Sequence, residues 1–232
     1  MEIGGFQQTT LLDYPGHVAA TVFTIGCNYR CPFCQNAKMV LGKEERIPEA
    51  EVLSYLSKRR NVLEGVCITG GEPTLQKDLA TFCFQIKSMG YLVKLDTNGS
   101  NPEKVKELYE AGLIDYVAMD VKAGKMQYAK ACGFEENCEL LTVHKSIDML
   151  MECGVDYEFR TTLVKGLHTE EDIEDLGQML SGAKRYFLQN YKDSESVLWK
   201  QKEFTSFSKG EMEHFADLLK PSIQTVALRG EA

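Results

Sequence analysis

Short runs of apolar and β-branched residues alternate along the chain with longer stretches in which apolar residues recur every three or four positions. The short runs are typical of buried strands, and the longer stretches are typical of helices that pack against a sheet. Strands are predicted at residues 17–25, 65–70, 91–97, 114–121, 155–164 and 184–191, with a short last strand within 223–230. Helices are predicted at residues 48–59, 75–90, 101–112, 140–154, 169–180 and 209–219.

Residues that favour helix ends stand at several of the predicted boundaries. Pro48 is placed to begin the first helix, and Gly90 is placed to end the second. Asn101 is a good amino-terminal cap, and Thr169 is followed by acidic residues that the helix dipole stabilises. Six strand and helix repeats in 232 residues predict an α/β fold, an incomplete (β/α)6 TIM-like barrel in a single domain of residues 1–232.

Charge and hydropathy narrow the classes of function. A formal charge of -8 argues against a binder of nucleic-acid phosphates, which needs a basic surface. The sequence has no run of 18 or more apolar residues to span a bilayer, and its first residues lack the basic and apolar segments of a signal peptide. We therefore expect a cytoplasmic protein that binds neither nucleic acid nor membranes.

The predicted strands end in polar or glycine-rich segments, whereas their centres are apolar. The carboxyl ends of parallel strands meet along one edge of a sheet, where such folds carry their chemistry, so we expect one polar rim. In chain order the rim residues are Cys27, Cys31 and Cys34; Gly70, Gly71 and Glu72; Asp96, Thr97 and Asn98; Asp120 and Lys122; Arg160, Thr161 and Thr162; Gln189 and Asn190.

The segment TIGCNYRCPFCQN carries three closely spaced cysteines, Cys27, Cys31 and Cys34. In a reducing compartment, clustered cysteines are more often metal ligands than disulfide partners. Three thiolates can hold three corners of a [4Fe–4S] cluster and leave the fourth iron open to a ligand from outside the protein. A zinc-binding module without catalytic activity is the alternative, but a zinc ribbon would need a second cysteine pair at similar spacing, and a zinc site explains only the cysteines and none of the other rim segments.

The remaining cysteines are scattered. Cys67 and Cys83 lie in apolar runs and are predicted to be small core residues. Cys132 and Cys138 are separated by five residues in a mixed segment, so a second metal site there is disfavoured.

Four segments resemble the signature of the radical S-adenosylmethionine enzymes and follow that family's order. They are CNYRCPFC at 27–34, GGEP at 70–73, DTNG at 96–99 and MDVK at 119–122. The resemblance implies that Cys27, Cys31 and Cys34 hold a [4Fe–4S] cluster. It also implies that the amino and carboxylate groups of S-adenosylmethionine chelate the open iron.

The same resemblance implies roles for the other rim residues. The segment that receives the methionine amino group matches Gly70, Gly71 and Glu72. Donors and acceptors suited to the ribose hydroxyls and the carboxylate are Asp96, Asn98, Lys122 and Arg160. Positions that can hold a monovalent cation in glycyl-radical activases match Asp96, Thr97 and Asp120.

In this family, one-electron reduction of the cluster cleaves S-adenosylmethionine to a 5′-deoxyadenosyl radical, which abstracts a hydrogen atom from the substrate. The leading segment, with LDYPG at 12–16, is similar to the activating proteins of anaerobic ribonucleoside-triphosphate reductase. The resemblance implies an enzyme that generates a glycyl radical on a partner, most simply that reductase. It also implies a flavodoxin- or ferredoxin-type electron donor.

Two related functions stay open at this point. The enzyme could activate another glycyl-radical enzyme, of the pyruvate formate-lyase type, or modify a small molecule or a peptide. Gln35 stands where many relatives have a histidine after the third cysteine, so the subgroup is open as well.

Overall fold

The computed structural model describes residues 1–135, 140–199 and 204–230. The chain divides into two units. The first comprises Met1–Asn28, Lys38–Thr97 and Glu103–Ala118, and the second comprises Tyr29–Ala37, Asn98–Pro102 and Met119–Ala232.

The secondary structure follows the predicted alternation of strands and helices. The strands are β1 Ile3–Thr10, β2 Ala19–Thr24, β3 Gly65–Gly70, β4 Leu92–Thr97, β5 Tyr116–Asp120, β6 Asp156–Leu163, β7 Tyr186–Asn190 and β8 Val226–Arg229. The α-helices are α1 Ala37–Val40, α2 Glu49–Lys58, α3 Leu79–Ser88, α4 Pro102–Glu110, α5 Tyr128–Cys132, α6 Leu140–Glu152, α7 Glu170–Met179 and α8 Lys209–Leu219. Every predicted strand and helix is present, and β1, α1 and α5 are additions.

Parallel strand pairing occurs in both units. In the first, β2 pairs with β3 and β3 with β4, so that Thr21 lies opposite Cys67 and Cys67 opposite Lys94. In the second, β6 pairs with β7 and β7 with β8, and Tyr186 lies opposite Val226. Across the described residues the strand order is the chain order, from β1 to β8, and the sheet is not closed. The predicted α/β fold with an incomplete parallel barrel is confirmed.

Strand β1 was not predicted, and it pairs with β2 in the antiparallel direction. Its second and third residues, Gly4 and Gly5, are of a type that is depleted in strands. The glycines have a steric reason, because a Cβ on Gly4 would lie 2.7 Å from side-chain atoms of Ile25 and Met39. Close packing against the loop after β2 therefore explains why an irregular composition still forms a strand.

The helices begin and end much as the sequence predicts. Thr169 caps α7 in a capping box, accepting a hydrogen bond from the backbone of Asp172. Pro48 lies one residue before α2 and not inside it. In the described parts of the chain, each helix is too short or too polar to span a lipid bilayer.

The LDYPG segment lies before the amino end of β2 and contributes to the core of the first unit. Tyr14 is buried, and its ring centroid lies 4.9 Å from that of His17 and 5.9 Å from that of Tyr116. A Cβ on Gly65, where β3 begins, would lie 2.8 Å from the Tyr14 ring. Tyr14 therefore fills a space that the glycine leaves open.

Candidate functional site

The glycine-rich end of β3 is bonded to the start of the cysteine segment. The backbone N–H of Gly71 donates to the Thr24 carbonyl at 2.8 Å, and that of Glu72 donates to the Gly26 carbonyl at 2.8 Å. Gly70 has a φ of 111°, and a Cβ on Gly71 would lie 1.9 Å from the Gly26 oxygen. Only glycine permits this approach. The segment that approaches these glycines is thus the protein's own residues 24–26.

Glu72 is a fully buried carboxylate with defined hydrogen-bond donors. Its Oε1 accepts from the backbone N–H of Thr74 at 3.1 Å and from the Thr74 hydroxyl at 2.6 Å. The hydroxyl of Thr97, at the end of β4, donates to the same oxygen at 2.8 Å. Two of the predicted site residues, Glu72 and Thr97, are therefore in direct contact.

Asp96 lies on the same side of β4 as Lys94, because side chains two residues apart on a strand point the same way. Lys94 has only 1% of its side chain exposed, and its ammonium forms an ion pair with Asp96 Oδ1. Cys67 Sγ lies 3.7 Å from Lys94 Nζ and 3.6 Å from Asp96 Oδ1. Cys67 is buried as predicted, but Lys94 was missed, and it gives Asp96 a buried counter-ion.

The cysteine segment passes from the first unit to the second between Asn28 and Tyr29. Cys27 is half-buried in the first unit. In the second, Cys31 is buried, Cys34 is half-buried, and the Cys34 backbone N–H donates to the Cys31 carbonyl at 3.0 Å. These two cysteines thus lie on one tight turn.

Residues 192–199, which the sequence did not single out, hold the turn from a distant part of the chain. The contacts are Gln35 Nε2 to the Lys192 carbonyl at 2.8 Å, Leu198 N–H to the Cys34 carbonyl at 2.9 Å and Trp199 N–H to the Pro32 carbonyl at 3.1 Å. Gln35, the departure from the usual histidine, therefore anchors the cysteine loop.

The protonation of the cysteines is set by their neighbours. A hydrogen bond from the Cys132 thiol lowers the pKa of Cys31 and outweighs burial, and the Lys122 ammonium acts in the same direction. Burial raises the pKa of Cys34, and burial together with the Cys31 contact raises the pKa of Cys132. Cys31 therefore deprotonates more readily than Cys34, and the thiolate is the form that binds metals. Cys132 packs against the loop, whereas Cys138 lies outside the described residues.

Asp120, Lys122 and Arg160 form one ionic network in the second unit. Asp120 accepts hydrogen bonds from Arg160 Nε at 2.8 Å and from Lys122 Nζ at 2.9 Å. Burial alone would raise the pKa of Asp120, but the two cations hold it well below its usual range. Burial would lower the pKa of Lys122, but Asp120 and Cys31 raise it. All three side chains are therefore charged at neutral pH.

His168 supports this network and was missed in the sequence. The Val164 N–H donates to His168 Nδ1 at 3.0 Å, so the ring proton is on Nε2, which lies 2.9 Å from the Lys122 carbonyl. Burial lowers the pKa of His168, and its ring centroid lies 6.4 Å from that of Phe33. A neutral histidine thus positions the backbone of Lys122 beside the cysteine loop. No short-range pattern marks it, because Lys122, the residue that it positions, lies 46 residues away in the sequence.

Asn98 is buried, and its Oδ1 accepts a hydrogen bond from the Ser100 backbone at 2.9 Å. The next residue, Gly99, has a φ of 76°, and a Cβ there would lie 2.1 Å from Met119 Cε. Asn98 therefore shapes a tight turn, and its contact with a cofactor stays a prediction.

The donor set of the cysteine loop fits an iron–sulfur cluster. Among the described residues, no three His, Cys, Asp or Glu side chains are grouped where one metal ion could bind them all. A cubane cluster sets a different requirement, because each cysteine binds its own iron atom. Thiolate stabilisation at Cys31 and the three-cysteine spacing both suit that group.

Comparison with known proteins gives a consistent picture. The protein-family model described as the Radical SAM superfamily matches residues 21–180 of this chain. A Methanocaldococcus jannaschii protein, provisionally named as a glycyl-radical enzyme activating enzyme, is 32% identical over 230 residues, which cover 98% of this chain and 95% of that protein. The pyruvate formate-lyase-activating enzyme of Streptococcus mutans is 27% identical over 206 residues, with 82% of this chain and 77% of that enzyme covered.

A solved structure shares the fold. The crystal structure of SuiB from Streptococcus suis matches 90% of this chain with a TM-score of 0.70 and 16% identity. This chain spans 48% of the SuiB chain. At that identity the likeness concerns the fold alone.

Proposed function

This chain belongs to the radical SAM superfamily, and on that premise we propose that it generates a glycyl radical on a partner enzyme. Membership implies a [4Fe–4S] cluster and S-adenosylmethionine. When bound and supplied with one electron by the donor, these groups would yield methionine and a 5′-deoxyadenosyl radical that can remove a hydrogen atom from a substrate. The observation that carries the proposal is the similarity to the Methanocaldococcus jannaschii protein over 98% of this chain.

We assign the cluster to Cys27, Cys31 and Cys34. The assignment is supported by their spacing and by the hydrogen bond and ammonium that lower the pKa of Cys31. The backbone bonds from residues 192–199 restrain the loop and so limit the rearrangement that metal binding requires. His168 contributes by holding the backbone of Lys122 in place.

We assign S-adenosylmethionine to the polar residues at the strand ends. Glu72, held by Thr74 and Thr97, is a buried carboxylate suited to the methionine ammonium. Lys122 and Arg160 are permanent cations suited to the methionine carboxylate. The full set of proposed contacts is Gly70, Gly71, Glu72, Asp96, Asn98, Lys122 and Arg160.

The partner we propose is anaerobic ribonucleoside-triphosphate reductase, with a flavodoxin- or ferredoxin-type protein as electron donor. The leading segment with LDYPG supports this choice of partner. A pyruvate formate-lyase-type enzyme is the second candidate, favoured by the 27% identity to the Streptococcus mutans activating enzyme. We further propose that residues 1–232 act as one functional domain.

The proposal is tested by electron paramagnetic resonance. The protein is reconstituted with iron and sulfide without oxygen, reduced, and mixed with S-adenosylmethionine and either candidate partner from the same genome. A glycyl doublet on the reductase supports the proposed target, whereas a doublet only on the pyruvate formate-lyase-type enzyme transfers the assignment to the second candidate. Formation of 5′-deoxyadenosine with no doublet on either would refute glycyl-radical activation while leaving the family intact.

Two cysteine variants make the result specific to the cluster. Cys31→Ser removes a proposed ligand, and the doublet should disappear. Cys153→Ser is the matched control, because Cys153 is half-buried after α6 and its thiol contacts the Leu150 carbonyl at 3.6 Å. The control should retain the wild-type signal.

A further inference from the structure

The residues that resemble a monovalent cation site are Asp96, Thr97 and Asp120, and in this chain both carboxylates already have cationic side-chain partners. A cation site in a protein depends on carboxylate charge that is not neutralised, since the ion must recover the energy of its lost hydration. The partners of Asp96 and Asp120 therefore decide whether these carboxylates keep the negative charge that a monovalent cation requires.

Lys94 is the partner of Asp96, and it is fixed in place. It enters from β4 two residues before Asp96, with 1% of its side chain exposed. Its Nζ contacts Asp96 Oδ1, lies 3.7 Å from Cys67 Sγ and lies 6.0 Å from the centroid of the Tyr116 ring. A lysine so enclosed cannot turn outward to water, so its charge stays beside Asp96.

Asp120 is neutralised in the second unit by two cations. Its Oδ1 accepts from Arg160 at 2.8 Å and its Oδ2 from Lys122 at 2.9 Å. A metal ion added there would meet two positive side chains within hydrogen-bond distance of the same carboxylate, which opposes its binding. The hydroxyl of Thr97, for its part, donates its proton to Glu72.

We propose that the Lys94 ammonium supplies, at Asp96, the positive charge that a monovalent cation would supply, so that S-adenosylmethionine binding by this chain is independent of sodium and potassium. Lys94 is thus a positioning residue that holds Asp96 through an ion pair. The proposal rests on membership of the superfamily and not on the identity of the partner enzyme, so its tests measure cofactor binding without a partner.

The first test needs no variant. The affinity of the cluster-containing protein for S-adenosylmethionine is measured by calorimetry in tetramethylammonium chloride, and again with sodium or potassium chloride at the same ionic strength. Tetramethylammonium is too large for a site made of carboxylate and hydroxyl ligands. We expect the three affinities to agree within about twofold, because the internal ammonium is always present. An affinity about tenfold or more higher with sodium or potassium would overturn the proposal.

The second test removes the internal charge with Lys94→Met, which keeps the length of the side chain. In tetramethylammonium chloride the variant should bind S-adenosylmethionine at least about tenfold more weakly, and sodium or potassium should restore part of the affinity. Lys87→Met is the matched control, because Lys87 lies on α3 and its ammonium pairs with Asp115 at 2.6 Å. The Lys87→Met protein should bind the cofactor like the wild type. A folded Lys94→Met protein that binds normally without either ion, or that neither ion rescues, would overturn the proposal. If circular dichroism shows that Lys94→Met does not fold, the wild-type comparison decides.

Discussion

Strand β2 has a recognisable sequence segment on each side, and the two segments serve different purposes. Before its amino end, LDYPG buries Tyr14 against His17 and Tyr116. After its carboxyl end, residues 24–26 bond to Gly71 and Glu72 and lead into the cysteines. Both segments resemble the same family in sequence, but only the second carries thiols. Similarity in a segment therefore indicates kinship without showing that the segment takes part in the chemistry.

Among the substitutions that compare the two ends of β2, Cys34→Ser is expected to have the largest effect. A serine hydroxyl does not replace a thiolate as an iron ligand, so the reconstituted variant should lose its bound cluster. Iron and sulfide analysis, with absorbance at about 400 nm, measures the loss. The cluster-free forms of the variant and the wild type should unfold at similar temperatures. Retention of a full cluster by Cys34→Ser would contradict the ligand assignment.

Tyr14→Ala, in the segment before the amino end of β2, is expected to lower stability without removing the cluster. Removing a buried aromatic side chain should lower the free energy of unfolding by about 3–5 kcal/mol, because a cavity remains. Urea unfolding measures this change, and the folded fraction should still hold a full cluster. Leu12→Ala is the control, since Leu12 is 85% exposed and should change stability by less than about 0.5 kcal/mol. Cluster loss in folded Tyr14→Ala would break the distinction between the two ends.

An intermediate effect is expected from Gly71→Ala. The new Cβ would lie 1.9 Å from the Gly26 oxygen, so the backbone must move at the carboxyl end of β2. We expect a loss of roughly 2 kcal/mol in stability and an affinity for S-adenosylmethionine about tenfold weaker. Unfolding experiments measure the change in stability, and calorimetry measures the affinity for S-adenosylmethionine.

Gly210→Ala provides the matched control for that variant. Gly210 lies in the first turn of α8, and a Cβ there would meet no atom within 4 Å other than its chain neighbours and the nearby backbone of its own helix. Alanine should leave cofactor binding unchanged and raise stability by up to about 1 kcal/mol. Equal effects of the two substitutions would show that the close approach at Gly71 has no special importance.

The smallest effect concerns pH and His168, which lies against the cysteine loop. Burial lowers the pKa of His168 below its ordinary value of 6.5. As the pH falls through 6.5, the unfolded chain gains a proton that the folded protein resists, so stability declines, whereas above 6.5 it does not depend on this group. His168 contributes at most about 1.4 kcal/mol per pH unit to the slope of the free energy of unfolding against pH.

Urea unfolding of the cluster-free protein between about pH 5.5 and 7.5 measures this slope. His168→Gln should be less sensitive to acid than the wild type over that range. His214→Gln is the control, because His214 is exposed and lies 3.2 Å from Glu170. Identical slopes for wild type and His168→Gln would contradict a buried neutral histidine beside the loop.

The parts of the molecule that could be predicted from the sequence depend on short-range patterns. The three cysteines stand within eight residues, and the glycines of GGEP mark a close approach whatever the partner. In the structure, the predicted strands and helices are four to thirteen residues long, so their periodicity is a short-range signal and the parallel repeats could also be predicted. In these cases the physical cause and the sequence signal lie in the same segment.

The parts that were missed depend on pairings between distant segments. Lys94 looks like a surface charge on a strand until the register of β3 and β4 sets it opposite Cys67. His168 acquires its role from the carbonyl of Lys122, 46 residues away. Gln35 finds its partner at Lys192, 157 residues away. Such contacts require the folded arrangement, and no local composition reveals them.

The central claim, that this chain removes a hydrogen atom from a glycine of its partner, is tested most directly by isotope transfer. The anaerobic ribonucleoside-triphosphate reductase is produced with deuterated glycine and incubated with the reduced, cluster-containing protein and S-adenosylmethionine. Mass spectrometry then measures deuterium in the 5′-deoxyadenosine released. We predict one deuterium in each 5′-deoxyadenosine that accompanies a glycyl radical. Unlabelled 5′-deoxyadenosine formed in the presence of the deuterated partner would contradict the account.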